Sequence, residues 1–385
     1  MLAYTFYEAD PRVRQYATAL VERGDTVDVI ALRPGDRPKY ETLDGVNVIR
    51  LQGRQINERR RFQYAHRITR FLFHAAATLA KRHLAEPYQV VHVHSVPDFL
   101  VFGALIPKLT GAGVLLDIHD LLPELYASKF SVPRESTWFN LMKFVEKRSC
   151  SFADHVIIAN DIWRERLIQR SVPPEKCTTI RNYPTLTLFK SFSRQSHNGK
   201  FLITYPGSLN KHQGLEVAIK AYRRVFEKMP NSEFHIYGEG VDKPRLIQMA
   251  KDMGLEKRVI FHGGMTSKDI AGVMVNTDLA VEPKLSRIPF SNEAASTKIL
   301  EFMAAGVPIV ASRTSIHSRY YDDTILKYYD ADNDEALAAC IFSMWLNPTE
   351  RSEQVARAKK YVDENNWEAK KAEYLQLVDR VASRR

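Results

Sequence analysis

A chain of 385 residues has room for two α/β domains, each with its own buried core. Hydrophobic residues at 45%, charged at 26% and aromatic at 10% exclude a disordered or fibrous protein. The net charge of +10 is modest for this length, and Cys150, Cys177 and Cys340 lie too far apart for a zinc site or a disulfide framework, which fits a reducing cytosol.

The N-terminus carries no basic segment followed by an apolar one. The first strand begins at Met1 with little lead-in, so a few residues ahead of it are expected to be missing. The longest near-apolar stretch, Phe71 to Ala80, is interrupted by His74 and too short to span a bilayer, so any membrane contact is expected to be superficial.

Short β-branched runs predict strands at Leu2 to Phe6, Thr26 to Leu32, Val46 to Leu51, Val90 to Val93, Val114 to Ile118 and His155 to Ala159. Between them, Pro11 to Arg23, Phe62 to His83 and Trp138 to Ser151 read as crossover helices, which makes the first domain a doubly wound parallel sheet. One crossover lies in a basic block: Arg50, Arg54, Arg59, Arg60, Arg61, Arg67, Arg70, Lys81 and Arg82 stand against only Glu58, interleaved with Phe62, Tyr64, Phe71, Leu72 and Phe73. Two readings stay open for it: a segment lying on an anionic bilayer, or a solvated helix whose apolar face packs on its own domain.

From Tyr183 to Lys200 the pattern turns polar and reads as a structureless linker. Strands follow at Phe201 to Tyr205, Glu233 to Tyr237, Val259 to Phe261, Leu279 to Val281 and Val307 to Ala311, alternating with helices at Leu215 to Lys228, Pro244 to Met253, Lys268 to Val275 and Thr297 to Ala305. The expected organisation is residues 1–183, a linker over 184–200, a second α/β domain over 201–365, and a helix within 366–385 that crosses back onto the first. Two such domains facing across a cleft would bind ligands beyond their strand C-termini.

The most informative segment is NEAASTKILEFMAAGVPIVAS, residues 292–312. Ser296 and Thr297 read as good caps for a helix running to Ala305, which Gly306 and Pro308 end. Free amides at Ser296, Thr297, Lys298 and Ile299 would meet a diphosphate, with the Lys298 charge beside it. Glu301, roughly one turn further in, would accept from ribose hydroxyls, and Glu293 lies ahead of the cap, free to reach a sugar. On spacing alone, two glutamates seven residues apart are ordinary. In this place they match, almost residue for residue, the Glu-x7-Glu signature of family 4 glycosyltransferases of the GT-B fold.

The chain resembles that family along nearly its whole length. YTFYEADPRVRQYATALVERGDTVDVIAL looks like the opening strand-loop-helix, and LLDIHDLLPE like a histidine-bearing loop facing the cleft. VIIANDIWRERL and TTIRNYP are similar to the end of the first domain. YPGSLNKHQGLEVAIKAY, EFHIYGEG and RVIFHGGMTSKDIAGVMVNTDLAVEP follow in the family's order.

The resemblance implies that Glu301 binds the donor ribose, that Glu293 binds sugar hydroxyls near the reacting carbon, and that His119 lines the sugar site. Gly207 would let backbone approach the donor. Many members carry an arginine directly after that glycine and a lysine just before the second one, Gly214. Here Ser208 and Gln213 stand there, so Lys298, or Lys211, is expected to stabilise the leaving group. Gly238-Glu239-Gly240 reads as a tight turn near the donor; as a dinucleotide fingerprint it lacks its third glycine, Lys243 standing there. The acceptor side would be formed by Asp10, Arg12 and Arg14.

His92 and His94 alternate along a buried-looking strand with no third ligand evident, and Asp330-Ala331-Asp332 lies in a polar turn, so neither reads as a metal site. The implied activity is retaining transfer of a hexosyl group from a nucleoside-diphosphate sugar to a saccharide or polyprenyl-diphosphate-linked acceptor in polysaccharide biosynthesis. It would need no metal, no other cofactor and no nucleic acid, and would proceed in the cytoplasm or peripherally at the inner face of the membrane. A nucleotide-sugar epimerase of the same architecture and a non-catalytic sugar-binding subunit are the competing readings.

Overall fold

Strands buried on both faces read as continuous apolar runs, and central strands of both halves, such as those over residues 28–33, 113–118, 279–282 and 309–312, are buried along nearly their whole length. The computed structural model describes residues 1–53, 61–130, 133 and 135–383. Two units result: residues 1–182 with 371–385, and residues 183–370.

The first unit holds an eight-stranded sheet: β1 (Leu2–Ala3), β2 (Asp28–Arg33), β3 (Tyr40–Leu43), β4 (Val46–Gly53), β5 (Val90–His94), β6 (Gly113–Ile118), β7 (His155–Ile158) and β8 (Cys177–Thr179). Their order is β3-β4-β2-β1-β5-β6-β7-β8, parallel except for the β3–β4 hairpin. The patterning did not reveal β3, because its side chains alternate between exposed and half-buried. The turn that makes it possible is nevertheless written in Asp44-Gly45, both at positive φ, the pair that suits a two-residue hairpin. Strand β8 escaped notice because three residues carry too little period.

The second unit holds six parallel strands: β9 (Phe201–Pro206), β10 (Ser232–Tyr237), β11 (Val259–His262), β12 (Leu279–Glu282), β13 (Ile309–Ser312) and β14 (Lys327–Tyr329). The order β11-β10-β9-β12-β13-β14 reverses between β9 and β12, the place in such a sheet where ligands bind beyond the strand C-termini.

The stretch 184–200 is not the structureless linker that its polarity suggested. It holds a helix, Leu186–Lys190, and belongs to the second unit. Phe189 is buried with Met274 and Val275, while Leu186, Leu188 and Phe192 pack against the same cluster. Burial of these four apolar side chains outweighs the polar residues between them.

The last helix, Trp367–Ala382, enters the first unit from Lys371 onward. Tyr374 stacks on Tyr16 with ring centroids 4.1 Å apart, and its hydroxyl lies 3.1 Å from His92 Nδ1. Val381 closes over Gly113, where a Cβ would overlap its backbone carbonyl.

Candidate functional site

The helix Thr297–Ala304 is anchored by Ile299, Leu300, Phe302 and Met303, all buried, and ends where Gly306 takes a φ of 70°. Ser296 holds the N-cap position but, contrary to its reading as a good cap, makes no capping hydrogen bond through its side chain. The first-turn amides of the helix are thus left uncapped by that side chain, with the positive end of the helix dipole behind them.

Lys298, on the first turn, reaches back over the ends of β9 and β12. Its Nζ lies 3.1 Å from Glu282 Oε2, donates to the Tyr205 hydroxyl at 3.2 Å and to Gln213 Oε1 at 3.4 Å, and sits 4.4 Å from the centre of the Tyr205 ring. Burial works against its charge, yet Glu282 and Tyr205 hold it above the usual lysine range, so the ammonium persists at any working pH. Burial would raise the Glu282 carboxyl, but Lys298, Lys284 and His317 keep it below the ordinary glutamate value. Lys284, also buried, donates to the carbonyl of Ala294 at 2.6 Å and so pins the backbone just after Glu293.

Glu301 stands one turn behind Lys298, half-buried, and its carboxylate makes no hydrogen bond or ion pair among the described residues. Burial, opposed by Lys298 and reinforced by Glu282, pushes its carboxyl up to about 7. Glu293, half-buried, is the last residue of the short helix Pro289–Glu293. Glu293, Lys298 and Glu301 therefore lie on consecutive pieces of one segment, as the sequence implied.

Glycines carry the loop after β9. Gly207, at φ 146°, donates its amide to the Tyr237 carbonyl at 2.8 Å, and Gly238, at φ 138°, lies so close to the Gly207 carbonyl that a Cβ would overlap it. Gly214, at φ 75°, likewise leaves no room for a Cβ beside the Pro283 carbonyl. The loops after β9, β10 and β12 are thus pressed together by close backbone approach. Lys243 replaces the missing third glycine with a staple, donating to the carbonyls of Gly238 at 3.2 Å and His262 at 2.9 Å and pairing with Glu239 at 2.8 Å. Glu239 and Ser208 are exposed; Lys211 is exposed as well and reaches no partner among the described residues. Of the two lysines, Lys298 is the one that sits among buried polar groups, Glu282 and Tyr205.

Sequence reasoning missed Glu282, Tyr205, Lys284 and His212. His212 packs edge-on against Phe290, its carbonyl accepts from Ser291 Oγ at 2.7 Å, and burial together with Lys284 and Lys298 lowers its ring to about 4, leaving it neutral. A carboxylate ending the apolar run of β12 was the signal available for Glu282, since such a group inside a core needs a cation.

In the first unit, the order reverses between β1 and β5, and a pocket of about 170 Å³ lies there, lined by Thr5, Asp10, Ser95, His119 and Asp120 among others. Beneath it, Arg12 grips both oxygens of Asp117 at 2.7 Å and donates to Asn182 Oδ1 at 2.8 Å. His94 Nδ1 and His119 Nε2 lie 3.1 and 3.0 Å from Asp117 Oδ2. Burial opposes the Asp117 charge, but Arg12 and His119 hold the carboxyl well below its usual range.

The expectations for an acceptor loop divide here. Arg12 is a correction: it is buried in the first turn of the helix Pro11–Arg23 and committed to Asp117. Asp10 accepts from the Val13 amide as the N-cap of that helix, and Arg14 is exposed, 3.5 Å from Asp44. His119 and Asp10 do line the pocket. The third group missing beside His92 and His94 is Asp117, the three offering ligand atoms within 4.8 Å. Its oxygens already accept from Arg12, and His92 Nδ1 meets Tyr374, so the positive charge a cation would supply is in place.

A glycosyl transferase 4-like domain model matches residues 9–183, and a glycosyl transferases group 1 model matches residues 188–361. A glycosyltransferase of Methanocaldococcus jannaschii, itself uncharacterized, is 24% identical over 333 residues, 81% of this chain and 80% of its own length. A putative colanic acid biosynthesis glycosyltransferase, WcaL of Salmonella typhimurium, is 25% identical over 165 residues, 43% of this chain and 40% of its own. Among solved structures, sucrose-phosphate synthase of Thermosynechococcus elongatus superposes with a TM-score of 0.78 at 18% identity, covering 99% of this chain and 98% of that one. Anabaena HepE with UDP-glucose superposes with a TM-score of 0.72 at 16% identity, covering 97% and 98%. With one family model spanning nearly all of each unit and the same two-domain fold in the solved neighbours, the chain belongs to the glycosyltransferases of GT-B fold.

Proposed function

We propose that this glycosyltransferase moves a hexosyl group, with retention of configuration, from a nucleoside-diphosphate sugar to a saccharide or lipid-linked saccharide acceptor in polysaccharide biosynthesis. The observation that carries the reading is the helix start at Thr297, with no side-chain cap from Ser296, flanked by the Lys298 ammonium and, one turn deeper, by the unpaired Glu301. The amides and Lys298 receive the diphosphate, Glu301 accepts from the ribose hydroxyls, and Glu293 takes hydroxyls of the sugar.

Charge builds on the diphosphate as the bond to the sugar breaks, and fixed amides with a buried ammonium stabilise it without reorganising. Lys298 fills the part that an arginine at Ser208 and a lysine at Gln213 play in many relatives; Lys211, exposed, has a secondary part. His119 bears on the sugar, and the departing phosphate accepts the acceptor's proton, so no side-chain base and no metal are required. A UDP-glucose complex of HepE, a protein of the same fold, supports a nucleotide-sugar donor. WcaL supports a polysaccharide acceptor. The enzyme works in the cytoplasm, peripherally at the inner face of the membrane when the acceptor is a polyprenyl-diphosphate-linked saccharide.

The test is turnover of a panel of nucleotide sugars with lipid-linked and free saccharide acceptors, with and without a chelator, and the anomeric configuration of the product read by NMR. Chelator-insensitive transfer with retention is expected. Transfer with inversion, loss of activity on chelation, or interconversion of the donor without acceptor would each overturn the corresponding part.

A further inference from the structure

Three segments of the first unit lie side by side: the long helix over residues 61–85, the turn-and-helix stretch 98–109, and the helix over residues 137–152, with the middle one seated on β5 and β6 and flanked by the other two. A soluble surface normally scatters its large apolar side chains singly. Here they gather. The middle stretch exposes Phe102, Leu105, Ile106 and Leu109, the last at 73%; the helix over 137–152 exposes Trp138 at 66% with Leu141 and Phe144; the long helix exposes Phe73 at 67% and Leu84. Phe102 meets Phe152 edge-on at 5.2 Å, which joins the middle stretch to its neighbour.

The spacing shows that these residues form faces. Trp138, Leu141 and Phe144 recur at three-residue intervals and lead to Arg148, whose guanidinium lies 5.0 Å from the Phe144 ring centre. Arg70, Phe73, Ala77, Lys81 and Leu84 fall on one stripe of the long helix. Within residues 66–85, 98–111 and 137–152 the only acids are Asp98 and Glu146, both buried, and Glu146 is held by Arg170 at 2.6 Å. Lys143, Lys147 and Arg148 have no acidic partner among the described residues, whereas Lys108 is paired with Asp154 at 2.6 Å.

The geometry points to this three-segment face as a docking surface for an anionic lipid bilayer, with Trp138, Phe144 and Leu109 entering the headgroup layer while Lys143, Lys147 and Arg148 face lipid phosphates. Aromatic and aliphatic side chains presented beside unpaired cations, with acids withdrawn into the core, are the combination that partitions into such an interface. The inference places most of the contact outside the basic block that the sequence suggested. Phe71, one of its aromatics, is fully buried against Tyr4 at 5.1 Å, and Arg54, Arg59 and Arg60 lie outside the described residues, as do the side chains of Arg61, Phe62 and Tyr64. It does not depend on which sugar is transferred.

The experiment is co-sedimentation of the full chain with vesicles of phosphatidylcholine alone and of phosphatidylcholine mixed with phosphatidylglycerol, at low and high salt. It is run for the wild type, for Trp138→Ser with Phe144→Ser, for Leu109→Ser, and for Lys143→Glu with Lys147→Glu and Arg148→Glu. All substituted side chains are exposed or half-buried, and circular dichroism checks folding. The wild type is expected to bind only the mixed vesicles, less at high salt, with a blue shift of Trp138 fluorescence. The charge-reversed variant is expected to bind at least about tenfold more weakly, given roughly a fivefold gain for each cation near an anionic surface. The Trp138/Phe144 and Leu109 variants are expected to bind more weakly as well. Wild type that ignores the mixed vesicles, variants that bind as well as the wild type, or a dimer that these substitutions dissociate while vesicles go unbound, would each overturn the proposal.

Discussion

Both units gather charge where their strand order reverses, yet they treat it in opposite ways. In the first, Arg12, His94 and His119 converge on Asp117, which accepts from the guanidinium with both oxygens, while His119 also lines the pocket above. In the second, Lys298 and Glu282 neutralise each other, but Ser296 gives the helix start no side-chain cap and the Glu301 carboxylate has no partner among the described residues. A carboxylate already met by a guanidinium and two imidazoles holds a shape; a carboxylate and helix amides left without side-chain partners are suited to a ligand. Resemblance in sequence does not separate the two, and side-chain partners do.

The largest expected effect breaks the set around Asp117. Arg12→Ala strands the buried Asp117 charge and should lower stability by about 3–5 kcal/mol, measured by denaturant unfolding. Gly214→Ala comes next, because it forces a Cβ into the Pro283 carbonyl at a φ of 75°. A loss of about 1–3 kcal/mol is expected, with weaker donor binding as the loops after β9 and β12 part. A stability change without loss of donor binding would separate those loops from the site.

Acidity sharpens the comparison further. Glu301 rises from 4.5 to about 7, so between those values the folded protein holds a proton that the unfolded chain releases. The stabilisation is present below the ordinary value and lost as pH rises through 7. On the proposed reading the ionised carboxylate is the stronger acceptor for the ribose hydroxyls, so donor affinity should move the other way, weakening about tenfold from pH 8 to pH 6. Calorimetric titration across that range checks this. The smallest effect is expected from Lys211→Ala: this exposed lysine should change kcat by no more than a few-fold, as steady-state kinetics would show.

Much of this was legible. The buried strands and the helix Pro11–Arg23 declared themselves by period and caps, and the helix start at Thr297 by Ser296 and the glutamate spacing. What escaped depended on distant partners. Arg12 read as a loop residue because Asp117, which buries it, lies 105 positions away. Glu282 and Tyr205 looked like strand ends until Lys298 folded over both. The stretch 184–200 looked polar because Phe189 finds its core only through Met274 and Val275. Local pattern carries elements and turns; it does not carry which charges meet.

The most direct test of the open site is Glu301→Gln, followed by thermal unfolding and donor titration at one pH above 7. The substitution removes a carboxylate that the free protein holds at a cost, so the melting temperature should stay the same or rise, while donor affinity falls by about tenfold or more. Unchanged donor affinity would contradict the account, because the donor would then be held somewhere other than at the helix that begins at Thr297.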